Sequence, residues 1–485
     1  MDGGELLNRY WHLGVAALSL LMSILAAGHA VLYRRDPRAA FAWVAFIWLV
    51  PLAGSVLYFV FGVNRIRRRA AELRENRARY ESPTPKLEPN ADELWRCLEP
   101  DATHLAGLTR LVRGVVARPL LPGNEVEPLE NGDAAYPAML EAIRQARHSL
   151  TFGTYIFDRD EIGLEFAREL GAAVRRGVEV RVLIDAAGTR YSWPPILHTL
   201  RREQVPHARF LPAFALWRLM SVNLRSHRKV MVADGRLGFT GGLNIRSGHC
   251  LLRAPRSPVR DLHFRVQGPV VAQLQETFAD DWLFTTGESL QGPHWFPELE
   301  PAGHVLARAI PDGPDEDLDK LRWTILGALT AAKSSVWVQT PYFLPDAAIV
   351  SALNLAALRG VRVDIVLPAR NNLPFVHWAS RAHWWQVLEH GCHIWLTPPP
   401  FDHSKLMLVD EAWTLLGSAN WDPRSLRLNF ELNVECYDAA LAGRLAATLY
   451  ARLARAHEVT LAEVDGRSLP VRLRDGIARL LTPYL

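Results

Sequence analysis

Cysteine, lysine and net charge are all scarce in this chain, and each scarcity closes off a class of function. The four cysteines among 485 residues are Cys97, Cys250, Cys392 and Cys436, and no two form a C-x-x-C pair. That scatter argues against a disulfide framework and fits buried thiols in a reducing compartment. The formal net charge is only +4, too weak to argue for a nucleic-acid partner. Neither a carboxylate cluster nor a His/Cys array at metal-ligand spacing accompanies the motifs below, so no metal and no cofactor are expected. Lysine occurs only at Lys86, Lys229, Lys320, Lys333 and Lys405, so arginine supplies 55 − 5 = 50 of the basic residues. Hydrophobic residues make up 49% of a chain that is long for one compact unit and suits two.

Two of the five lysines sit in a pattern that occurs twice. His227, Lys229 and Asp234 stand in the spacing H-x-K-x4-D, and His403, Lys405 and Asp410 repeat it. A small-residue turn and an asparagine follow each copy: Gly241-Gly242-Leu243-Asn244, then Gly417-Ser418-Ala419-Asn420. The offset is 403 − 227 = 176 for the histidines and 420 − 244 = 176 for the asparagines. Chance would supply on the order of 0.01 copies of such a pattern in this composition. Two isolated core histidines are therefore a poor explanation.

The six motif residues are the catalytic candidates. On a strand, His and Lys two apart share a face, so two facing halves would bring two imidazoles and two ammonium groups into one pocket. Such a pocket suits a phosphodiester. Lys229 and Lys405 offset its charge, and Asn244, Asn420 and Ser418 are candidates to bind its oxygens. One imidazole can attack phosphorus while the other protonates the leaving alcohol. Asp234 and Asp410, at the strand ends, are better placed to orient backbone than to do chemistry. Asp261 and Glu431 each follow their histidine by a similar interval and are candidates to fix its tautomer.

The duplication extends beyond the motifs. In the first half, residues 134–147 and 163–176 have helical periodicity, and 149–157 and 178–185 read as strands. In the second half, 320–333 and 347–359 are helical, and 335–343 and 361–367 are strands. Tyr155 matches Tyr342, and Arg176-Gly177-Val178 matches Arg359-Gly360-Val361. The expected class is α/β, with two similar halves at 106–295 and 296–485 forming one pseudo-two-fold unit. A helix over 439–457 and an amphipathic one near 471–481 follow. The second should pack on that half, with a membrane surface as the alternative.

Two apolar runs, residues 11–33 and 39–63, precede all this. Each reaches the ~20 residues that cross a hydrocarbon core, and a transmembrane hairpin is expected over 1–66. A cleaved leader fits less well, because the first run lacks a basic start. Pro51 and Gly54 are tolerable in such a helix. Arg34, Arg35 and Arg38 lie between the runs, and Arg65, Arg67, Arg68, Arg69, Arg74, Arg77 and Arg79 follow. The larger cluster should stay cytoplasmic and attract anionic headgroups. A basic helical extension and linker is expected over 67–105.

The doubled motif and its Gly-Gly/Ser-x-Asn turns resemble the phospholipase D superfamily. The stretches Asn223-Leu-Arg-Ser-His-Arg-Lys229, Thr340-Pro-Tyr-Phe343 and Gly417-Ser-Ala-Asn-Trp-Asp-Pro-Arg-Ser425 are similar to those of bacterial cardiolipin synthases. So are the amino-terminal hairpin and the run from Arg260-Asp261 to Trp282. The resemblance implies two phospholipase D-type halves. It implies transfer of a phosphatidyl group between two phosphatidylglycerol molecules with release of glycerol. His227 would be the nucleophile that carries a phosphohistidine, and His403 the acid and then the base. Phosphatidylglycerol and other anionic phospholipids would be the partners, and the bacterial inner membrane the location. Alternatives are a hydrolase, a synthase with another donor or acceptor, a nuclease of the same superfamily, or a lipid-binding scaffold.

Overall fold

The computed structural model describes residues 3–34, 37–62, 100–211, 224–315, 317–480 and 482. The arginine cluster of residues 65–79, most of the expected linker, Arg35 and Asn223 lie outside them. The chain divides into two compact units, Met1–Glu72 and Leu73–Leu485.

The first unit is helical. One helix, Gly3–Tyr33, contains an apolar stretch, Tyr10–Tyr33, long enough to cross a membrane. The second apolar run is not one helix. It breaks at Val50 into Pro37–Leu49 and Pro51–Leu57, followed by a π turn, Tyr58–Gly62. The cause is Pro51, which has no N–H and disfavours helical geometry at the residue before it; Val50 sits at φ −134°, ψ 75°. The expected two-helix hairpin is thus one long helix and one broken one. Small residues on the long helix let the other pack closely, with Ala26, Ala27 and Ala30 buried, and Gly54 lets the two pieces of the broken one fold against each other, since a Cβ there would lie 2.7 Å from the Phe46 carbonyl.

The second unit is built on one sheet. Its strands in chain order are β1 (Leu121–Glu130), β2 (Ser149–Thr154), β3 (Glu179–Asp185), β4 (His207–Phe210), β5 (Arg225–Ser226), β6 (Val230–Ala233), β7 (Leu237–Gly241), β8 (Val259–Arg260) and β9 (Leu262–Gln267). The second half supplies β10 (Val305–Asp312), β11 (Ser335–Gln339), β12 (Arg362–Pro368), β13 (His393–Thr397), β14 (Phe401–Asp402), β15 (Leu406–Val409), β16 (Trp413–Gly417), β17 (Asn429–Tyr437) and β18 (His457–Val459). The first half is ordered β1-β9-β7-β6-β2-β3-β4, and the second repeats it as β10-β17-β16-β15-β11-β12-β13, with β18 at the edge. The halves join where β1 and β10 run antiparallel, Leu121 opposite Ala307.

Helices cover both faces, so central strands are apolar on both sides. Val230 to Ala233 and Leu406 to Val409 are all buried. Each half has its own outer core, and a third core spans both. In it the helices Val270–Thr286 and Ala439–Leu453 pack on strands of either half. This shared core fixes one half against the other and therefore fixes the distance between their motifs.

Candidate active site

Each motif histidine lies on the short connection that enters the first motif strand of its half. That connection is zipped to the other half. β5 pairs in parallel with the start of β17, Ser226 opposite Phe430, and β14 pairs in parallel with β8, Asp402 opposite Arg260. The His227 amide donates to the Phe430 carbonyl at 2.8 Å, and the His403 amide donates to the Arg260 carbonyl at 2.8 Å. Two equivalent crossovers thus set each histidine beside the residue that follows the partner strand's pairing position.

Those residues are Glu431 and Asp261. His227 Nδ1 lies 3.0 Å from Glu431 Oε2, and His403 Nδ1 lies 2.8 Å from Asp261 Oδ2. Both carboxylates are fully buried. Their assignment by interval therefore needs correction: each carboxylate serves the histidine of the opposite half, because the crossover, not sequence distance, brings them together. With Nδ1 directed at a carboxylate, Nε2 is left as the reactive nitrogen of each ring.

The lysines are held in parallel fashion. Lys229 Nζ donates to the His227 carbonyl at 2.6 Å, and Lys405 Nζ donates to the His403 carbonyl. Burial pushes Lys229 down to about 7 and Lys405 down to about 8, against the pull of Glu431 and Asp261. Each lysine also lowers the pKa of the other half's histidine or lysine, so the two ammonium groups and two imidazoles are electrostatically coupled. A pocket with that field is primed for an anion.

The carboxylates of the two histidine pairs are shifted in opposite directions. Burial pushes Glu431 up, but His227, Lys229 and the Ser418 hydroxyl more than offset it, and the carboxyl ends below its usual range. Burial lowers His227 despite Glu431. Burial raises Asp261, which Lys405 only partly counters. His403 is lowered far by burial and then by Lys405, Lys229 and His227.

The turns after the motifs explain the Gly-Gly versus Gly-Ser difference. Gly241 and Gly417 have φ of 145° and 153°, and a Cβ there would press on the Leu262 or Leu432 carbonyl at 2.7 or 2.5 Å. At the next position a Cβ on Gly242 would lie 2.1 Å from Asp261 Oδ1. Its counterpart Ser418 is instead an intended neighbour: Ser418 Oγ donates to Glu431 Oε2 at 2.6 Å. The phosphate-binding assignment of Ser418 is corrected on that ground, since its buried hydroxyl holds Glu431. Asn244 Oδ1 accepts from the Ile156 amide at 3.1 Å, and Asn420 Nδ2 donates to Ser425 Oγ at 3.1 Å. Asn420 Oδ1 is buried without a hydrogen-bond partner.

Asp234 and Asp410 leave the catalytic set. Both lie in left-handed turns, φ 51° and 52°. Asp234 Oδ1 accepts from the His148 and Ser149 amides at 2.7 and 3.0 Å. Asp410 Oδ1 accepts from the Ser334 and Ser335 amides at 2.7 and 2.8 Å, and His104 Nε2 lies 2.6 Å from Asp410 Oδ2. They tie the motif hairpin to the neighbouring strand, at the far end from the histidines.

Several contributors were not legible as site residues. Tyr155 and Tyr342 stack edge-on to His227 and His403, with ring centroids 5.2 and 6.3 Å away. Their signal was the duplication itself. Arg228, the variable position of the first motif, is buried and binds Asp281 at 2.7 Å and the Glu431 carbonyl at 3.0 Å. Asp185 Oδ2 accepts from the Ser226 amide at 2.8 Å, bracing the approach to His227. Nothing in the local sequence pointed to either aspartate.

Comparison with known proteins decides the family. Residues 139–282 and 325–452 match the family described as cardiolipin synthase, PLD-like domain. This chain belongs to that family. Residues 21–62 match the phospholipase D-nuclease N-terminal family, in keeping with an amino-terminal unit associated with a membrane. The chain is 34% identical over 474 residues to cardiolipin synthase A of Pseudomonas fluorescens (strain SBW25), covering 97% of this chain and 98% of that one. It is 30% identical over 491 residues to a cardiolipin synthase of Geobacillus kaustophilus (strain HTA426), covering 99% and 96%. Among solved structures, a phosphatidylserine synthase from Haemophilus influenzae Rd KW20 shares the fold, with a TM-score of 0.62 and 16% identity over 78% of this chain and all of that one. The two matched segments of this PLD-type enzyme fall in the two halves of the sheet, one around each histidine.

Proposed function

We propose that this enzyme makes cardiolipin and glycerol from two phosphatidylglycerol molecules through a phosphohistidine. The observation that carries the reading is the crossed pairing of His227 with Glu431 and His403 with Asp261 around two buried lysines. Full-length likeness to cardiolipin synthases supplies the substrate.

In the first step His227 Nε2 attacks phosphorus of one phosphatidylglycerol. The bond from phosphorus to the headgroup glycerol oxygen breaks, and protonated His403 gives that oxygen its proton. Glu431, held ionised, stabilises the imidazole as it becomes cationic. Lys229 and Lys405 face the non-bridging oxygens, with the Asn244 side-chain amide beside them. In the second step neutral His403 takes the proton from a headgroup hydroxyl of the second phosphatidylglycerol. That oxygen attacks phosphorus, and His227 leaves. Burial first, and then the charges of Lys405, Lys229 and His227, hold the pKa of His403 well below its ordinary value. An anionic phosphodiester offsets the cationic part of that shift and so favours the proton the first step needs.

The amino-terminal unit would anchor the enzyme in the bacterial inner membrane as a two-pass segment, with the catalytic unit on the cytoplasmic side. The test is phosphatidylglycerol labelled in its headgroup, given to the full chain in vesicles. Cardiolipin and labelled glycerol in equal amounts are expected. Phosphatidic acid as the main product would instead make the enzyme a hydrolase, and no turnover would refute a catalytic role.

A further inference from the structure

The helix Leu469–Leu480 is turned inside out. Its exposed residues are Leu469, Leu473, Ile477 and Leu480, at 67%, 58%, 61% and 73%. At 100° per residue these four fall within an arc of about 80°. The opposite side carries Asp475 and Ala478, both buried. Asp475 is bound by Arg467 at 2.8 Å and Arg474 at 2.7 Å. A helix meant for water on its outer face would show the reverse pattern. Its edges are basic: Arg472 and Arg479 are exposed along one side of the apolar arc, and Arg474 lies on the other, over the Trp378 ring at 4.6 Å. The adjacent helix Pro374–Arg381 and its N-cap add exposed Phe375 and Leu373, at 53% and 46%.

We infer that this helix lies in the surface of an anionic lipid membrane, apolar arc in the acyl boundary and arginines at the headgroups. Two observations select lipid over another occupant. The arginine-edged apolar face has the composition of an interfacial helix and complements anionic headgroups. The same chain carries a helix long enough to cross a membrane, so a lipid surface is at hand. The position also has a use. Ala478 packs in a small cluster with Leu344, Val376, Ala379, Trp378 and Tyr342, and the Tyr342 ring lies 6.3 Å from that of His403. The docked helix is therefore one layer from the reacting centre, placed to pass lipid from the bilayer to the site. The membrane contact stands independently of the proposed reaction; its role in substrate entry rests on that reading.

The experiment is spin-label accessibility at Leu473→Cys and Ile477→Cys in the full chain, reconstituted in mixed phosphatidylglycerol and phosphatidylcholine vesicles. The unsubstituted chain gives the background from native cysteines. Strong relaxation by oxygen and weak relaxation by a water-soluble nickel chelate at both sites is expected. Strong relaxation by nickel at both overturns the proposal, as does shielding from both agents with a doubled mass in detergent, which would give the face to a second copy. A Leu473→Glu/Ile477→Glu variant adds a functional arm. It should lose at least tenfold in turnover of vesicle phosphatidylglycerol while keeping turnover of a dispersed short-chain form. Equal loss on both forms overturns the entry role. If the unsubstituted chain turns over neither form, the proposed reaction fails, and the spin-label result still decides the membrane contact.

Discussion

The two halves of the catalytic unit share strand order, motif and turn, yet hold their histidines differently. Around His227 the carboxylate is Glu431, drawn to its ionised form and gripped by Ser418. Around His403 it is Asp261, one methylene shorter, raised by burial and fitted into the space that Gly242 leaves open. Two residues further along, Asn433 Oδ1 accepts from the Ser418 and Ala419 amides at 3.2 Å, whereas the buried ring nitrogens of His263 in the matching place have no hydrogen-bond partner. A duplicated scaffold has thus been specialised. An ionised partner suits a nucleophile that must carry positive charge as a phosphoimidazolium. A partner whose ionised form is held less strongly suits a group that must both give and take a proton.

Substitutions that break this asymmetry should rank in effect. Removing the nucleophile is worst: His227→Ala should lower turnover by about 10⁴-fold or more and abolish covalent labelling. His403→Asn should slow turnover comparably but leave a slowly formed adduct that can be trapped. Labelling that survives in His227→Ala and vanishes in His403→Asn would swap the roles. Next comes Glu431→Gln, expected to cost about 10²- to 10³-fold in kcat, with Asp261→Asn costing less. Equal losses would mean that the opposite shifts of the two carboxylates are catalytically idle.

Gly242→Ser makes the first half imitate the second. Its Cβ would meet Asp261 at 2.1 Å, so the His403–Asp261 contact should be displaced and kcat should fall by about tenfold or more. Ser418→Gly, which removes the hydroxyl that donates to Glu431 and accepts from the Leu432 amide without introducing a clash, should fall less. A Gly242→Ser enzyme with unchanged kcat would show that Asp261 does not position His403.

The lysines give a pH test. A buried lysine with a lowered pKa is charged below that value and loses its charge as pH rises through it. Burial lowers Lys229 to about 7 and Lys405 to about 8. Affinity for an anionic phosphodiester should therefore fall as pH rises from 6.5 to 9, read as a rising Kd for a non-reactive phosphodiester. Lys229→Met should flatten the lower part of that rise. The smallest catalytic effects belong to Asp234→Ala and Asp410→Ala. Each unties three backbone amides, most of them near the surface, and should destabilise the unit by about 1 kcal/mol, seen as a lower Tm with near-normal activity at low temperature.

The sequence disclosed much of this because a duplication leaves two copies to compare. The H-x-K spacing, the glycine turns and the β/α order each recurred, and β6 and β15 each begin one residue after a motif lysine. What stayed hidden depended on contacts across the halves. The exchange of Asp261 and Glu431 follows from β5 on β17 and β14 on β8, two-residue pairings with no sequence signature. Ser418 was read as a phosphate ligand from its place in the turn after the second motif; only packing shows its hydroxyl facing Glu431. Arg228 and Asp281 are 53 residues apart and meet in the shared core. The helix Leu469–Leu480 was legible as amphipathic, but which face points outward is a tertiary fact.

The most direct test of the account is to identify the residue that carries the phosphatidyl group. The full chain would be mixed with acyl-labelled phosphatidylglycerol, quenched within one turnover under alkaline conditions that preserve phosphohistidine, digested and mapped. The account predicts the adduct on the peptide that contains His227, with His403 unmodified. An adduct on His403, or product formation with no adduct on either histidine in a quench fast enough to see one, would contradict it.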